Sequence, residues 1–225
     1  MIKAVLIDID NTLLDFNKCA TFAIKSGFKD FNIEFSDSIF PVFKEINDKL
    51  WLQVEQKTLT KPELHKIRWK LIFFFFWIEK DGVEFEKVFV NYVHESHIPV
   101  DGALDLLQYL SAKYSVYAAS NASLKQQINR LTKANMIKYV KDIFVSDEIG
   151  FPKPSGEFFD ICLSRIAPLK KEELVMIGDS LTADIDGGTK YGIATCWFNH
   201  DKEEVPADLK ADYIVDSLSD IKNIF

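Results

Sequence analysis

Two textures of apolar residues alternate along the chain. Short apolar runs, Val5–Ile7, Ser115–Ala119, Ile143–Val145, Leu174–Ile177 and Ile193–Trp197, end at or near Asp, Ser or Gly. Such runs predict strands buried on both faces, the character of a parallel sheet. Between the later ones the apolar positions follow a helical period. Leu104, Leu107 and Leu110 form one stripe with Ala103, and Phe158, Phe159, Cys162, Leu163 and Ile166 form another along 156–166. Pro168 closes the second of these helices, and Gly192 stands where a further helix gives way to the last predicted strand. Strands alternating with helices predict an α/β fold, a Rossmann-like parallel sheet covered on both faces.

Residues 17–96 break this rhythm with helical patterns and almost no strand. Phe43, Ile46, Leu50 and Val54 recur at helical spacing, as do Phe85, Val88, Phe89, Tyr92 and Val93. Thr60-Lys61-Pro62-Glu63 has the form of a capping box with proline in the first turn, opening a helix expected to run through Ile78. The predicted organisation is an α/β core from 1–16 and 97–225, interrupted by an all-helical domain over 17–96 with hinges near Asn17 and Pro99. The run Phe73–Trp77, FFFFW, is expected to lie in a helix buried on several sides, with core packing preferred to ligand contact for most of its rings.

Composition narrows the function classes. The 225 residues are 48% hydrophobic and 27% charged, a globular profile, and the net charge is −7 without any cluster of Lys and Arg. Nucleic-acid polymers and anionic membranes are therefore disfavoured as partners, whereas a small anionic substrate is still allowed. The three cysteines, Cys19, Cys162 and Cys196, form no CxxC pair and read as packing residues. The longest apolar run, Leu71–Ile78, is too short to span a bilayer, and no leader pattern opens the chain, so a cytoplasmic location is expected.

Parallel sheets carry their ligand sites beyond the carboxyl ends of the strands. The first predicted strand delivers Asp8 and Asp10, then Asn11 and Thr12, and the second delivers Ser120 and Asn121. Lys153 lies between two prolines in the loop after the third. The fourth delivers Gly178, Asp179 and Ser180, followed by Asp184 and Asp186. Two carboxylates one residue apart at the end of a buried strand repel unless a positive charge sits with them. The set suits phosphoryl transfer to a carboxylate. Asp8 would attack, and a hard cation on Asp8 and Asp179, best matched by Mg²⁺, would offset the anionic charges. Lys153 and Ser120 would hold the phosphoryl oxygens, while Asp10 would exchange the proton. Each residue also has a plainer reading: Asp10 and Thr12 as turn caps, Ser120 and Asn121 as turn formers, Lys153 as a solvated loop lysine, Asp179 and Asp184 as helix N-terminal acids. Those readings leave the common edge unexplained. Asp15, Asp186, His94 and His97 suggest catalysis by residue type only and are set aside.

The segments DIDNT, SN, the isolated Lys153 and GDSLTAD, in this order, resemble the four motifs of the haloacid dehalogenase-like (HAD) superfamily. The helical block between the first two resembles its helical-cap subclass. The resemblance implies Asp8 as nucleophile and Asp10 as acid/base. It implies Mg²⁺ held by Asp8, the backbone carbonyl of Asp10, and Asp179. Asp184 would support the metal directly or through water, and Thr12, Ser120, Asn121 and Lys153 would contact substrate. Asp10 argues against the dehalogenases, Asn11-Thr12 against the mutases. A phosphonatase would need a buried cap lysine, for which Lys44, Lys49, Lys57 and Lys66 offer no mark.

IGDSLTADIDGGTKYGIATCWFN, FKEINDKLW and DYIVDSLSDI further resemble bacterial HAD-type pyrimidine 5′-nucleotidases, although Ser120-Asn121-Ala122 replaces the Thr-Asn-Gly common there. The implied function is Mg²⁺-dependent hydrolysis of a small-molecule phosphomonoester through an aspartyl phosphate, with a pyrimidine nucleoside 5′-monophosphate as substrate. The alternatives are a general or sugar-phosphate phosphatase and, much further off, a binding module. Arg68, Trp51, Trp69 and the Phe run are the candidates for contact with a base. The expected assembly is a monomer or a homodimer.

Overall fold

Six strands build the sheet: β1 (Ala4–Ile7), β2 (Ser115–Ser120), β3 (Ile143–Val145), β4 (Leu174–Gly178), β5 (Ala194–Phe198) and β6 (Tyr213–Val215). In the computed structural model, which describes residues Met1–Phe225, their order is β3-β2-β1-β4-β5-β6 with every pair parallel. The α/β fold read from the apolar runs is thus the observed one. β1 lies at the centre, with Val5 opposite Val116 on one side and Val175 on the other. Its residues divide between two cores: Val5 and Ile7 join one face, Ala4 and Leu6 the other. β6 was not predicted, and Ala194–Phe198 is therefore not the last strand. Two of the three residues of β6, Tyr213 and Ile214, are exposed, so this edge strand carries no buried run to betray it.

The chain divides into two compact units, Met1–Asp15 with Ile98–Phe225 and Phe16–His97. The second unit consists of α1 (Phe16–Asp30), α2 (Ile39–Glu55), α3 (Lys61–Phe75) and α4 (Gly82–Glu95). Its core is aromatic: Trp69 lies 4.4 Å from Phe85, 5.3 Å from Phe89 and 5.6 Å from Phe43 between ring centroids. The capping box opens α3 as predicted. The Glu63 amide donates to Thr60 Oγ1 and the Thr60 amide to Glu63 Oε2. The helix stops at Phe75, short of Ile78, and it is not buried on several sides. Phe73 is buried, but Phe74, Phe75 and Trp77 are exposed at 75%, 59% and 86%. Consecutive residues on a helix point about 100° apart, so a run of aromatics cannot share one core face.

Arg68 and Trp69 are also corrected as base-contact candidates, because both are buried in this unit. Arg68 donates to both carboxylate oxygens of Glu86 and to Asn47 Oδ1, and lies 4.8 Å from the centre of the Phe89 ring.

The helices flanking the sheet are α5 (Ala103–Lys113), α6 (Leu124–Lys133), α7 (Ser146–Ile149), α8 (Gly156–Ile166) and α9 (Gly187–Tyr191). α5 buries Ala103, Leu106, Leu107 and Leu110, while Leu104 is exposed, so the stripe runs through Leu106 in its place. α8 buries Phe158, Phe159, Cys162 and Ile166 against Ala4, Leu6 and Met176, with Leu163 half-buried at the margin. Gly192 ends α9 at a φ of 89°, a left-handed cap that a glycine adopts without steric cost. No helix is long and apolar enough to cross a membrane.

Candidate active site

The carboxyl ends of β1, β2 and β4 and the loop after β3 meet at one edge of the sheet, and the chain turns sharply there. After Asp8, whose amide still pairs with Ile177 of β4, the amides of Leu13 and Leu14 return to the Ile9 carbonyl, and Asn11 takes a φ of 58°. Asparagine is among the few residues that adopt this conformation readily. This tight loop buries Thr12 completely and aims its hydroxyl at Asp179 Oδ1, 3.1 Å away.

Lys153 is the centre of the charge arrangement. Its buried ammonium donates to Asp8 Oδ1 at 2.6 Å, Asp184 Oδ1 at 2.6 Å and the Ala119 carbonyl at 2.8 Å, which uses all three of its protons. Asn121 fixes the lysine's backbone from both sides: its Nδ2 donates to the Lys153 carbonyl at 3.0 Å, and its Oδ1 accepts from the Lys153 amide at 2.8 Å. The side chain read as a substrate contact is thus engaged with the loop that presents Lys153. Ser120 Oγ lies nearby, accepting from the Ala122 amide and from Gln127.

Asp184 approaches from a single wide turn over Leu181–Asp186, where the helical hydrogen bonds skip a residue; such turns favour functional sites. Its second oxygen accepts from the Ser180 amide at 3.1 Å. The approach requires glycine at 178, since a Cβ there would fall 2.1 Å from Asp184 Oδ2. Asp179 is held by Thr12 on its carboxylate and by the Trp197 indole on its carbonyl.

One carboxylate oxygen from each of Asp8, Asp179 and Asp184 lies within 4.8 Å of the others. Three acids thus meet a single lysine, with Asp8, Asp184 and Lys153 buried and Asp179 half-buried. Burial, together with Asp184 and Asp10, pushes the Asp8 carboxyl up to about 7 despite the attraction of Lys153. Burial and the charges of Asp8 and Asp184 likewise raise Asp179 well above the usual carboxylate range, against the Thr12 hydrogen bond. Burial opposes the charge of Lys153, but Asp184 and Asp8 outweigh it and raise its pKa. An all-oxygen donor set that, once ionised, has two negative charges beyond its lysine fits a hard divalent cation, with Asp8, Asp179 and Asp184 as the side chains able to hold it.

Asp10 stands apart from this trio. Its carboxylate turns to α6, where Arg130 Nη1 donates to Oδ1 at 2.5 Å and Gln127 Nε2 to Oδ2 at 2.7 Å. The sequence reading missed both partners. The apolar period of α6 suggests a buried stripe through Leu124, Ile128 and Leu131, yet Ile128 is 42% exposed while Gln127 and Arg130 are fully buried. The available signal was a glutamine and an arginine one helical turn apart, placed just after a strand end that already carried candidate residues. Asp186, set aside on sequence, is exposed and paired with Lys190.

The haloacid dehalogenase-like hydrolase profile matches residues 2–192. The chain belongs to the haloacid dehalogenase-like hydrolase family. This hydrolase is 33% identical to the HAD-hydrolase YfnB of Bacillus subtilis over 99% of its own length and 94% of the relative's. It superposes on the crystal structure of magnesium-bound YfnB with a TM-score of 0.94, covering 99% and 98% of the two chains. It is also 33% identical to the pyrimidine 5′-nucleotidase PynA of Streptococcus pneumoniae, over 97% and 93% of the two chains. Identity to the pyrimidine 5′-nucleotidase YjjG of Escherichia coli is 26%, over 98% and 96%.

Proposed function

We propose that this hydrolase cleaves phosphomonoesters through an aspartyl phosphate on Asp8, with Mg²⁺ as cofactor and pyrimidine nucleoside 5′-monophosphates as substrates. The observation that carries the reading is the placement of Asp8. One of its oxygens is 2.6 Å from Lys153 Nζ, and its carboxylate lies in a cluster with Asp179 and Asp184. An anionic nucleophile must approach an anionic phosphate, so positive charge has to be assembled around both. Lys153 supplies one such charge. A Mg²⁺ ion held by Asp8 and Asp179, with Asp184 in support, would supply electrostatic neutralisation of the phosphoryl oxygens.

In the first step an Asp8 oxygen bonds to phosphorus as the ester P–O bond breaks. The bond pair stays with the leaving oxygen, which takes a proton from Asp10. In the second step Asp10 removes a proton from water, whose oxygen bonds to phosphorus while the bond to Asp8 breaks, releasing inorganic phosphate and restoring the carboxylate. The Ser120 hydroxyl donates to a phosphoryl oxygen, the Lys153 ammonium beside Asp8 offsets the phosphoryl charge through both steps, and Thr12 keeps Asp179 oriented. Similarity to the pyrimidine 5′-nucleotidases PynA and YjjG supports the nucleotide assignment. The lysines that a Schiff-base phosphonatase would draw on are not buried: Lys44 pairs with Asp48 and Lys49 with Glu45, while Lys57 and Lys66 are exposed.

Phosphate release from UMP, dUMP, dTMP and several hexose phosphates, with Mg²⁺ and with EDTA, tests the proposal. Turnover should favour the pyrimidine nucleotides, cease in EDTA and fall by about 10⁴-fold or more in Asp8→Asn. Equal or better turnover of the sugar phosphates would remove the nucleotide assignment. Undiminished turnover by Asp8→Asn would remove the aspartyl phosphate.

A further inference from the structure

The structure assigns Arg130 and Gln127 as positioning residues for Asp10, an inference that rests on the proposed phosphoryl transfer and deepens it. Neither side chain is exposed, and both project from α6, one turn apart, beside a core that includes Leu131, Leu107 and Met136. A buried guanidinium is costly unless its charge is met by good hydrogen bonds, and apolar residues of similar volume serve packing as well or better. Here the charge is met by Asp10 at 2.5 Å, so α6 retains a group whose evident partner is the proposed acid/base.

The geometry fixes that acid in two respects. Arg130 holds one carboxylate oxygen and Gln127 the other, which sets both the direction of the side chain and the plane of the carboxylate. Gln127 Nε2 also donates to Ser120 Oγ at 2.9 Å, and its Oε1 accepts from Arg130 at 3.1 Å. One amide nitrogen therefore ties the proton-exchanging group of β1 to the hydroxyl of β2. Proton delivery depends on the distance between Asp10 and the leaving oxygen, and Ser120 helps locate the phosphoryl group to which that oxygen is bound. A carboxylate free to rotate at this place would spend little time within reach of the leaving oxygen. The Asp10 side chain is 28% exposed, so the clasp holds it from the core side and leaves an outer edge open.

The test is the dependence on the leaving group. An alkyl alcohol leaves poorly without a proton, whereas p-nitrophenolate leaves without help. The value of kcat/KM reports the first phosphoryl transfer alone, whatever the rate of the second step. Gln127→Met and Arg130→Met should lose about 10- to 100-fold in kcat/KM on UMP and less than about threefold on p-nitrophenyl phosphate. Gln127→Met leaves Arg130 paired with Asp10, so it decides the matter should Arg130→Met fail to fold. In an Asp10→Asn background the same Gln127 substitution should cost no more on UMP than it does on p-nitrophenyl phosphate, the share that passes through Ser120. Equal losses on both esters, or no loss on UMP, would overturn the positioning role while Asp8-dependent turnover by wild type kept the proposed function intact. Absence of Asp8-dependent turnover in wild type would overturn both.

Discussion

The hydrogen atom that serves as the side chain of Gly178 decides whether Asp184 can reach Lys153. Adding a methyl group puts a carbon 2.1 Å from one Asp184 oxygen and 2.4 Å from its carboxyl carbon. Gly178→Ala must therefore displace Asp184 and lengthen its 2.6 Å bond to Lys153. It should lower stability by about 1–3 kcal/mol, as overpacking does, and reduce phosphate release together with it. Denaturant melts and turnover measured side by side would check this, and an unchanged enzyme would show that the contact is dispensable. The cysteines stand at the opposite extreme. Burial pushes the thiols of Cys162 and Cys196 up to about 12, and Cys19 is buried as well. At pH 8 a thiol reagent should label none of the three until denaturant is added, whereas rapid labelling in the native state would contradict their packing role. The acids were readable from sequence because a charge at the end of an apolar run is anomalous wherever it occurs. Arg130 and Gln127 were not, because a polar residue in a helix reads as solvent-facing until the fold shows which side is the core.

At the scale of elements, short-range chemistry was the most legible. The capping box at Thr60 follows from residues three apart, and it forms. Thr60→Ala should cost about 0.5–2 kcal/mol in a denaturant melt. It should leave kcat on p-nitrophenyl phosphate unchanged, since the cap acts on α3 and the proposed chemistry lies in the other unit. A large loss of kcat without a loss of stability would refute that separation. Elements defined by neighbours distant in the chain were less legible. β6 is a strand because Tyr213, Ile214 and Val215 pair with β5, and its own alternation is too short and too exposed to show this. α6 inverts the usual reading, with Ile128 outward and Gln127 inward. On α3 and just beyond it, one side is defined by Trp69, Ile72 and Phe73, and composition alone could not separate these from the exposed Phe74, Phe75 and Trp77. Propensity and capping belong to the segment, whereas the direction of burial belongs to the packed molecule.

At the scale of the whole molecule, the parallel sheet turns residues far apart in the chain into one electrostatic problem, and stability should register it. Asp8 has an ordinary carboxylate pKa of 3.8 when unfolded and one of about 7 when folded without a cation. Between these values the native state binds more protons than the unfolded state, so this group's contribution is fully present below about pH 4 and is lost as the pH rises through 7. Asp179 shifts in the same direction for the same reason, burial beside like charges. In EDTA the melting temperature should therefore fall between pH 5 and pH 8, a contribution opposite in sign to that of an acid paired in the usual way. A divalent cation binds the ionised acids, so Mg²⁺ should raise the melting temperature strongly at pH 8 and little at pH 5. Asp8→Asn removes one of the two raised acids and a like charge beside the other, so it should flatten the profile in EDTA as well as weaken the response to Mg²⁺. A wild-type profile in EDTA no steeper than that of Asp8→Asn would mean that Lys153 alone suffices to balance the three acids, and the case for a cation at this edge would lose its electrostatic basis.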